Sequence, residues 1–247
     1  MKAARDAQLR LLDLQALDTR LDQLAHRRTS LPEQADLGRV QGELAGVRDD
    51  LVREETADSD LARSQTRVEN EVDLVRARAA RDQQRLDAGQ VSSPRELENL
   101  QHEIASLGKR QGDLEDQVLG VMEQRDAVQA RIAELQAARE RLSAEEAEAR
   151  TRRDAALADI KWEGDDVATR RAALAADLPD DLLALYEKVR ASSGGVGAAA
   201  LHRGQCQGCH LSLAGSDLAT VRAAAPDEVM RCEECRRILV RTADSGL

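Results

Sequence analysis

Four cysteines have the residue type and the spacing of a metal site. Cys206 and Cys209 form one C-x-x-C pair, and Cys232 and Cys235 form a second pair 22 residues further along the chain. Two such pairs supply four thiolates, which is the ligand set of a tetrahedral structural zinc site. Four protein ligands leave no coordination position for a catalytic water, so we predict a single structural Zn²⁺.

Three other uses of these residues fit the sequence less well. An iron site of the rubredoxin type normally lies in an aromatic core, which this segment lacks. A redox-active dithiol needs one C-x-x-C pair and leaves the second unexplained. His210 directly follows Cys209 and is a competing ligand only if one cysteine is not used. Gly208 is predicted to take a left-handed backbone conformation in the first metal-binding turn.

The segments beside the cysteine pairs predict a small β domain of the zinc-ribbon type. Residues 196–203 and 236–241 have the pattern of strands, with the cysteine pairs in turns. Arginines gather around the second pair at Arg231, Arg236, Arg237 and Arg241. Two interpretations remain open, namely solubilising charge on an edge strand or contact with phosphate groups or an acidic partner. No aromatic side chain is available there to stack on bases.

The rest of the composition indicates long helices and excludes a large globular enzyme core. Phenylalanine is absent, charged residues make up 33% of the chain, and the net charge is -10. This balance is typical of coiled coils and argues against general coating of nucleic acid. The sequence has no phosphate-binding loop, nucleophile elbow or His–carboxylate cluster, so we predict that it is not an enzyme. No apolar run is long enough to span a membrane, and a cytoplasmic location is expected.

Apolar residues recur at steps of three and four through two long runs, which predicts a left-handed heptad seam. A short stripe at residues 14–24 loses phase near Leu31 and Pro32, after which the first long run begins. That run comprises Leu37, Val40, Leu44, Val47, Leu51, Leu61, Val68, Val72, Val75, Ala79 and Leu86, interrupted by the polar residues Glu54, Asp58, Gln65 and Asp82. The second run comprises Leu97, Leu100, Ile104, Leu107, Leu114, Val118, Val121, Val128, Ile132, Leu135, Leu142, Ala149, Ala156 and Ile160.

A turn is predicted between the two runs, at about residues 88–93. Gly89 suits a helix C-terminus, Ser93 suits an N-cap, Pro94 suits the first helical position, and Glu96 completes a capping box. Because one helix ends and another begins within a few residues, the two should fold back as an antiparallel hairpin. The predicted fold class is therefore mostly α, a long antiparallel coiled-coil hairpin followed by a small β zinc ribbon.

Pairing of the runs about this turn predicts a register in which the numbers of facing residues sum to about 179. Val75 would face Ile104, and Leu51 would face Val128. The same register places Glu54 opposite Arg125, an ion pair within the seam that would fix the alignment of the helices.

The segment between the hairpin and the ribbon is predicted to be a junction that connects the two domains. Leu178-Pro179 marks a helix break, and an amphipathic helix follows it. The only two aromatic residues, Trp162 and Tyr186, are predicted to be packing anchors between the helices and the ribbon. We thus expect a hairpin at residues 1–175, a junction helix and linker at 176–195, and a zinc ribbon at 196–247.

The sequence resembles the bacterial C4-type zinc ribbon family whose members carry an N-terminal coiled-coil hairpin. The resemblance spans essentially the whole chain. It depends on the segment from Ser93-Pro94-Arg95-Glu96-Leu97 to Ile104, and on the ending that holds Cys206, Cys209, Cys232 and Cys235. In this family a glycine often follows the last cysteine, whereas this sequence has Arg236. The resemblance implies a non-enzymatic adaptor or regulator, because characterised relatives act in flagellar gene control, bind the sigma-54 transcription factor and, in one case, bind a messenger RNA.

Two functions from different classes follow. The first is an adaptor that binds a protein partner, of the kind found in transcription, through the coiled coil and junction. The alternative is a regulator that binds RNA or DNA through the arginine cluster of the ribbon. A hairpin that closes its own seam is expected to be a monomer, and exposed apolar residues such as Val52 and Leu74 offer a surface for a dimer.

Overall fold

The computed structural model describes residues 1–247, most of them helical. The elements in chain order are α1 (Arg5–Thr29), α2 (Pro32–Asp87), α3 (Pro94–Ala176), α4 (Asp180–Ser192), β1 (Ala198–His202), β2 (Gln205–Cys206), α5 (Gly215–Ala223), β3 (Met230–Arg231) and β4 (Ile238–Arg241). The fold class is the predicted one, a long helical hairpin followed by a small strand-rich domain. No helix is both long enough and apolar enough to cross a membrane.

The chain divides into two compact units. One consists of residues 1–35 together with 150–247, and the other of residues 36–149. The first unit therefore combines α1, the end of α3, α4 and the strands. The predicted domain boundaries at residues 175 and 195 remain a prediction, since they were placed at helix-breaking and linker residues of the sequence and not from contacts.

The unit of residues 36–149 is a helical hairpin held together by its seam. One cluster of buried residues joins Val40 and Leu44 to Leu142, and another joins Val68 and Val72 to Leu114. These are residues of the predicted heptad runs, and their burial is the reason why the two helices pair.

The turn of the hairpin lies where the sequence predicts it, between Asp87 and Pro94. Gly89 has a φ of 63°, the left-handed conformation that ends a helix. The backbone N–H of Glu96 donates a hydrogen bond of 3.2 Å to Ser93 Oγ, which confirms Ser93 as the N-cap. Local sequence signals were sufficient to locate this turn.

The predicted register of the hairpin is wrong by about one heptad. Leu44 packs with Leu142, and Val72 with Leu114, so facing residue numbers sum to about 186 rather than 179. A shift of seven residues keeps every apolar residue in the seam, and apolar spacing alone cannot exclude it. In the observed register the start of α3 extends beyond the end of α2, which leaves Leu97 39% exposed.

The predicted ion pair of Arg125 with Glu54 is also wrong. Its Nε donates to Asp58 Oδ1 at 3.0 Å, and Glu54 is not its partner. Gln65 also accepts a hydrogen bond from Arg125, at 3.4 Å. Polar residues that interrupt the two seams thus bind one another, as expected, but one helical turn further along α2.

The junction contains one of the two predicted packing anchors. Helix α4 begins directly after Leu178-Pro179, and its Leu182, Tyr186 and Val189 are buried. Tyr186 is fully buried, as predicted. Trp162 is 76% exposed, so its predicted packing role is wrong. It lies about half a helical circumference away from buried Ile160, because each residue turns the helix by about 100°.

The strands form one mixed sheet in the order β2-β1-β4-β3. The central pair, β1 and β4, is parallel, with Ala198 beside Ile238 and Leu201 beside Arg241. These are the strands predicted beside the cysteine pairs. The sequence did not predict helix α5, which lies between the two pairs. The segment before α1 is bound to the same domain, since Ala3 N–H donates to the Asp227 carbonyl at 2.7 Å.

Candidate metal centre and the polar network around it

The four cysteine sulfurs converge as a zinc site requires. All four lie within 4.8 Å of one another. Cys206 Sγ is 3.9 Å from Cys235 Sγ, and Cys209 Sγ is 3.9 Å from Cys232 Sγ. A tetrahedron with Zn–S bonds of about 2.3 Å has sulfurs about 3.8 Å apart, whereas a disulfide would bring them to about 2 Å. The site fits one zinc ion, which when bound holds the two turns together.

Two similar turns bring the sulfurs together. The N–H of His210 donates to the Cys206 carbonyl at 2.8 Å, and the N–H of Arg236 donates to the Cys232 carbonyl at 2.9 Å. His210 and Arg236 have φ values of 61° and 60°, so the residue after each pair takes the left-handed conformation. Arg236 therefore adopts a backbone conformation that favours glycine, and the four sulfurs converge with an arginine at this position.

Gly208 is required for a different reason from the one predicted. It is not among the residues with positive φ. A Cβ atom at this position would lie 2.7 Å from Arg237 Cδ and 2.9 Å from Ala199 Cβ. The absence of a side chain allows the first metal-binding turn to pack against β1 and Arg237.

The environment of the cysteines affects their protonation unequally. Burial raises the pKa of Cys206 to about 12 and also raises the pKa of Cys232. Burial opposes ionisation of Cys235 as well, but hydrogen bonds led by the backbone N–H of Arg237 lower its pKa to about 7. Zinc binds thiolates, so metal binding must release protons from the buried thiols.

Three of the four predicted contact arginines donate to the protein's own backbone, and one of them, Arg231, does so from an exposed position, with Nε 2.8 Å from the Arg236 carbonyl. Arg237 donates to the carbonyls of Ser193, Val196 and Gly208 at 2.7, 3.1 and 3.0 Å. It thereby connects the first metal-binding turn to the linker after α4. Arg241 donates at 2.6–3.3 Å to a second set of carbonyls, those of Val221, Ala224, Ala225, Pro226 and Glu228.

The arginines consequently do not form the single exposed cluster that the sequence suggested. Arg237 and Arg241 are partly buried and have their donors directed inward. Arg231 and Arg236 remain exposed at the second metal-binding turn, where Arg236 pairs with Glu233 at 2.9 Å. Contact of Arg231 and Arg236 with a nucleic acid or a partner stays a prediction.

A buried polar network in the same compact unit was missed by the sequence analysis. Its centre is Asp18 on α1, which is 1% exposed. The Tyr186 hydroxyl donates to Asp18 Oδ2 at 2.7 Å, and Arg171 Nε donates to Asp18 Oδ1 at 2.9 Å. Burial and then the bond to Asp18 raise the pKa of Tyr186, so the phenol stays a donor. The network joins α1, the end of α3 and α4.

Gln15 extends this network to the ribbon. Its Oε1 accepts a hydrogen bond of 2.7 Å from the N–H of Gly197, directly before β1, and its Nε2 donates to the Gly195 carbonyl at 3.0 Å. A Cβ atom on Gly197 would lie 2.8 Å from the ring of Tyr186, so only glycine fits there. A signal was present in the sequence, because Gln8, Gln15 and Asp18 share a helix face with Leu11 and Leu14.

Comparison with known proteins agrees with this architecture. The family model of the CT398-like coiled coil hairpin domain matches residues 14–194, and that of the C4-type zinc ribbon domain matches residues 205–239. Neither domain type is an enzyme family.

Relatives match over nearly the full chain. The uncharacterized protein Rv2229c of Mycobacterium tuberculosis is 39% identical over 241 residues, which cover 98% of each protein. A solved structure from Mycobacterium smegmatis is 37% identical, with a TM-score of 0.86 over 98% of this chain and 100% of that one. The structure of CT398 from Chlamydia trachomatis shares the fold at 22% identity, with a TM-score of 0.71 over 96% of this chain and 98% of that one.

Proposed function

Because the chain belongs to the family of CT398-like coiled coil hairpin proteins that carry a C4-type zinc ribbon, we propose that it is a non-enzymatic adaptor that binds a protein partner through its helices. The observation that carries the proposal is apolar surface left exposed on helices whose seam is already closed. Val52, Leu74 and Leu119 are 62%, 71% and 58% exposed, and Trp162 near the junction is 76% exposed. Exposed tryptophan is a residue type that is enriched at binding hot spots.

The metal centre supports the adaptor role by fixing structure. Four cysteines complete the coordination of zinc, and Arg237 and Gln15 tie the ribbon to α1 and to the linker after α4. Zinc in this setting keeps the helices and the ribbon of one compact unit in a fixed arrangement, which is what a binding scaffold needs.

The alternative, a nucleic-acid-binding regulator, rests on a narrower base. Of the four arginines that suggested it, only Arg231 and Arg236 have exposed side chains. Two cations on a chain of net charge -10 give little attraction for phosphate.

Photo-crosslinking in cells separates the two functions. A photoreactive amino acid is placed at Leu74, Leu119 or Trp162, at Arg236 in the ribbon, and at the exposed polar Gln136 as a control. The adaptor proposal expects discrete protein adducts at one or more helical positions and none at Gln136. Nuclease-sensitive adducts at Arg236, with none at the helical positions, would replace it with the nucleic-acid function.

A further inference from the structure

We propose that one flank of the hairpin of residues 36–149 is a docking groove for a basic amphipathic helix of a partner protein. This inference rests on the proposed adaptor function and names the site and the chemistry of the partner. We call the site the Leu119 groove. It has a volume of about 470 Å³, with Val72 and Val118 as its apolar floor and Leu119 at its edge.

The two exposed apolar side chains at the groove, Leu119 and Met122, lie on one face of α3 together with Gly112 and the charged Glu115. Gly112, Glu115, Leu119 and Met122 follow one another at steps of three, four and three, so they share one face of the helix. Leu119 is 58% exposed and Met122 is 42% exposed. Nothing lies within 4 Å of the position that a Cβ of Gly112 would occupy, so this end of the stripe is open. A stripe of this spacing beside a groove is the surface on which an amphipathic helix packs.

The charged residues around the Leu119 groove indicate which kind of helix it can bind. The rim of the groove carries Glu69, Asp73 and Glu115, opposed by Arg76. Arg76 donates to Glu115 at 2.6 Å, so these two charges offset each other, and Glu69 and Asp73 leave the rim with a net negative charge. Further carboxylates lie within one helical turn of Leu119 or Met122, at Asp116, Glu123 and Asp126, and the one arginine in that range, Arg125, is bound to Asp58.

The Glu115 carboxylate is held in its charged form by its neighbours. Hydrogen bonds from Gln111 and then from Arg76 hold the pKa of Glu115 below its ordinary value. An acidic rim around exposed leucine and methionine attracts lysine and arginine beside an apolar stripe. A second copy of this chain is a poor occupant, because it carries the same net charge of -10.

A peptide-binding measurement on the full-length, zinc-loaded protein tests the groove. The probe is a fluorescent peptide of about 15 residues, with leucine and lysine in helical periodicity, and its counterpart with glutamate in place of lysine is the charge control. We expect binding of the lysine peptide only. Leu119→Gln with Met122→Gln should weaken that binding at least about tenfold.

Matched variants on the opposite flank of the seam provide the controls. Leu74→Gln removes a more exposed leucine there, and Glu71→Gln with Asp113→Asn removes the same charge as Glu69→Gln with Asp73→Asn. The proposal expects loss of affinity from the groove variants and little change from the controls. Equal losses on both flanks would overturn it, because the peptide would then be attracted by charge alone. Absence of binding to the wild-type protein would also overturn it.

The cellular crosslinking described above distinguishes failure of this groove from failure of the adaptor function. Protein adducts at Leu74 or Trp162, without adducts at Leu119, would leave the adaptor function intact and refute the Leu119 groove. Absence of protein adducts at all three positions would refute both. Adducts at Leu119 whose crosslinked segment is a helix rich in lysine or arginine are the expected result.

Discussion

Arg241 shows how one side chain can organise the small metal-binding domain. Its guanidinium group reaches the carbonyl of Val221 in the last turn of α5, that of Ala224 directly after the helix, and those of the loop at residues 225–228. The last carbonyls of a helix have no partner within the helix, and a cation there satisfies them and the helix dipole together. Arg241 thus links β4, the end of α5 and the loop to which the segment before α1 is bound.

Replacement of Arg241 by lysine should destabilise the ribbon although the charge is unchanged. A lysine ammonium cannot reproduce the planar fork that reaches several carbonyls, so buried acceptors would lose their donors. We expect a loss of about 1–3 kcal/mol in the free energy of unfolding. The measurement is denaturant-induced zinc release, followed with a chromophoric chelator.

Arg222→Lys is the control for this experiment, since Arg222 is an exposed arginine on α5, the helix whose end Arg241 contacts. It should leave the release midpoint within about 0.5 kcal/mol of wild type. Similar effects of the two substitutions would show that the carbonyl contacts of Arg241 contribute little.

The residues of the site differ in how far sequence could predict them. The zinc ligands were predictable, because thiolate coordination requires a specific residue type at a specific spacing. Arg237 and Arg241 were not, because their acceptors are backbone carbonyls, which no residue type marks. The roles of Asp18 and Gln15 could be predicted in part. Polar residues on an apolar helix face indicated a buried network, but their partners on α3 and α4 are more than 150 positions away.

At the scale of elements, the long helices show which part of a coiled coil the sequence determines. Capping residues predicted where α2 ends and where α3 begins, because a cap satisfies backbone groups that are close in sequence. Apolar periodicity fixed which faces meet, but every shift by one heptad preserves those faces. The register therefore depends on polar contacts such as that of Arg125 with Asp58, and on how α3 leaves the turn.

The contact of Asp58 with Arg125 should make hairpin stability depend on pH. Hydrogen bonds from Arg125 and Gln129 hold the pKa of Asp58 below its ordinary value. A carboxylate whose pKa is lowered by folding stabilises the fold above its unfolded pKa, about 3.9, and this contribution is lost as the pH falls through the folded value. The melting temperature of wild type should thus exceed that of Asp58→Asn at pH 6, and the difference should shrink below about pH 4.

A chelator present at every pH keeps metal release out of this comparison. Asp60→Asn serves as the control, since Asp60 pairs only with Arg63 on the same exposed helix surface. Exposed pairs of this kind contribute little, so no difference from wild type is expected at either pH. A difference between wild type and Asp58→Asn that persisted unchanged at pH 3 would contradict the assigned role of the Asp58 charge.

On the scale of the whole molecule, the two compact units depend on different forces. Residues 36–149 are held by the seam of a hairpin, with no metal ligand among them. The unit of residues 1–35 and 150–247 contains the cysteines, and the buried residues beside them include only small or aliphatic side chains such as Leu201, Val221 and Leu239. This face of the sheet has no aromatic residue and buries too little apolar surface to hold the two metal-binding turns together without zinc.

Removal of zinc should therefore loosen one unit and spare the other. We expect a strong chelator to abolish amide protection from hydrogen exchange in β1 and β4. Protection should also fall at Ala3, because its N–H donates to Asp227 in the ribbon. Amides of residues 36–149 should keep their protection, since their hydrogen bonds and seam contacts are local to the hairpin.

Cys209→Ser should reproduce the effect of the chelator, because it removes one of four ligands from a closed coordination shell. The neighbouring His210→Gly is the matched control. Glycine accepts the φ of 61° at that position without strain, so zinc content and protection should equal those of wild type. Ribbon amides that stayed protected in Cys209→Ser would mean that the sheet folds without metal. In that case the apolar packing of Leu11 and Leu14 against the strands, together with the polar network around Asp18 and Gln15, would hold the ribbon on α1 without zinc.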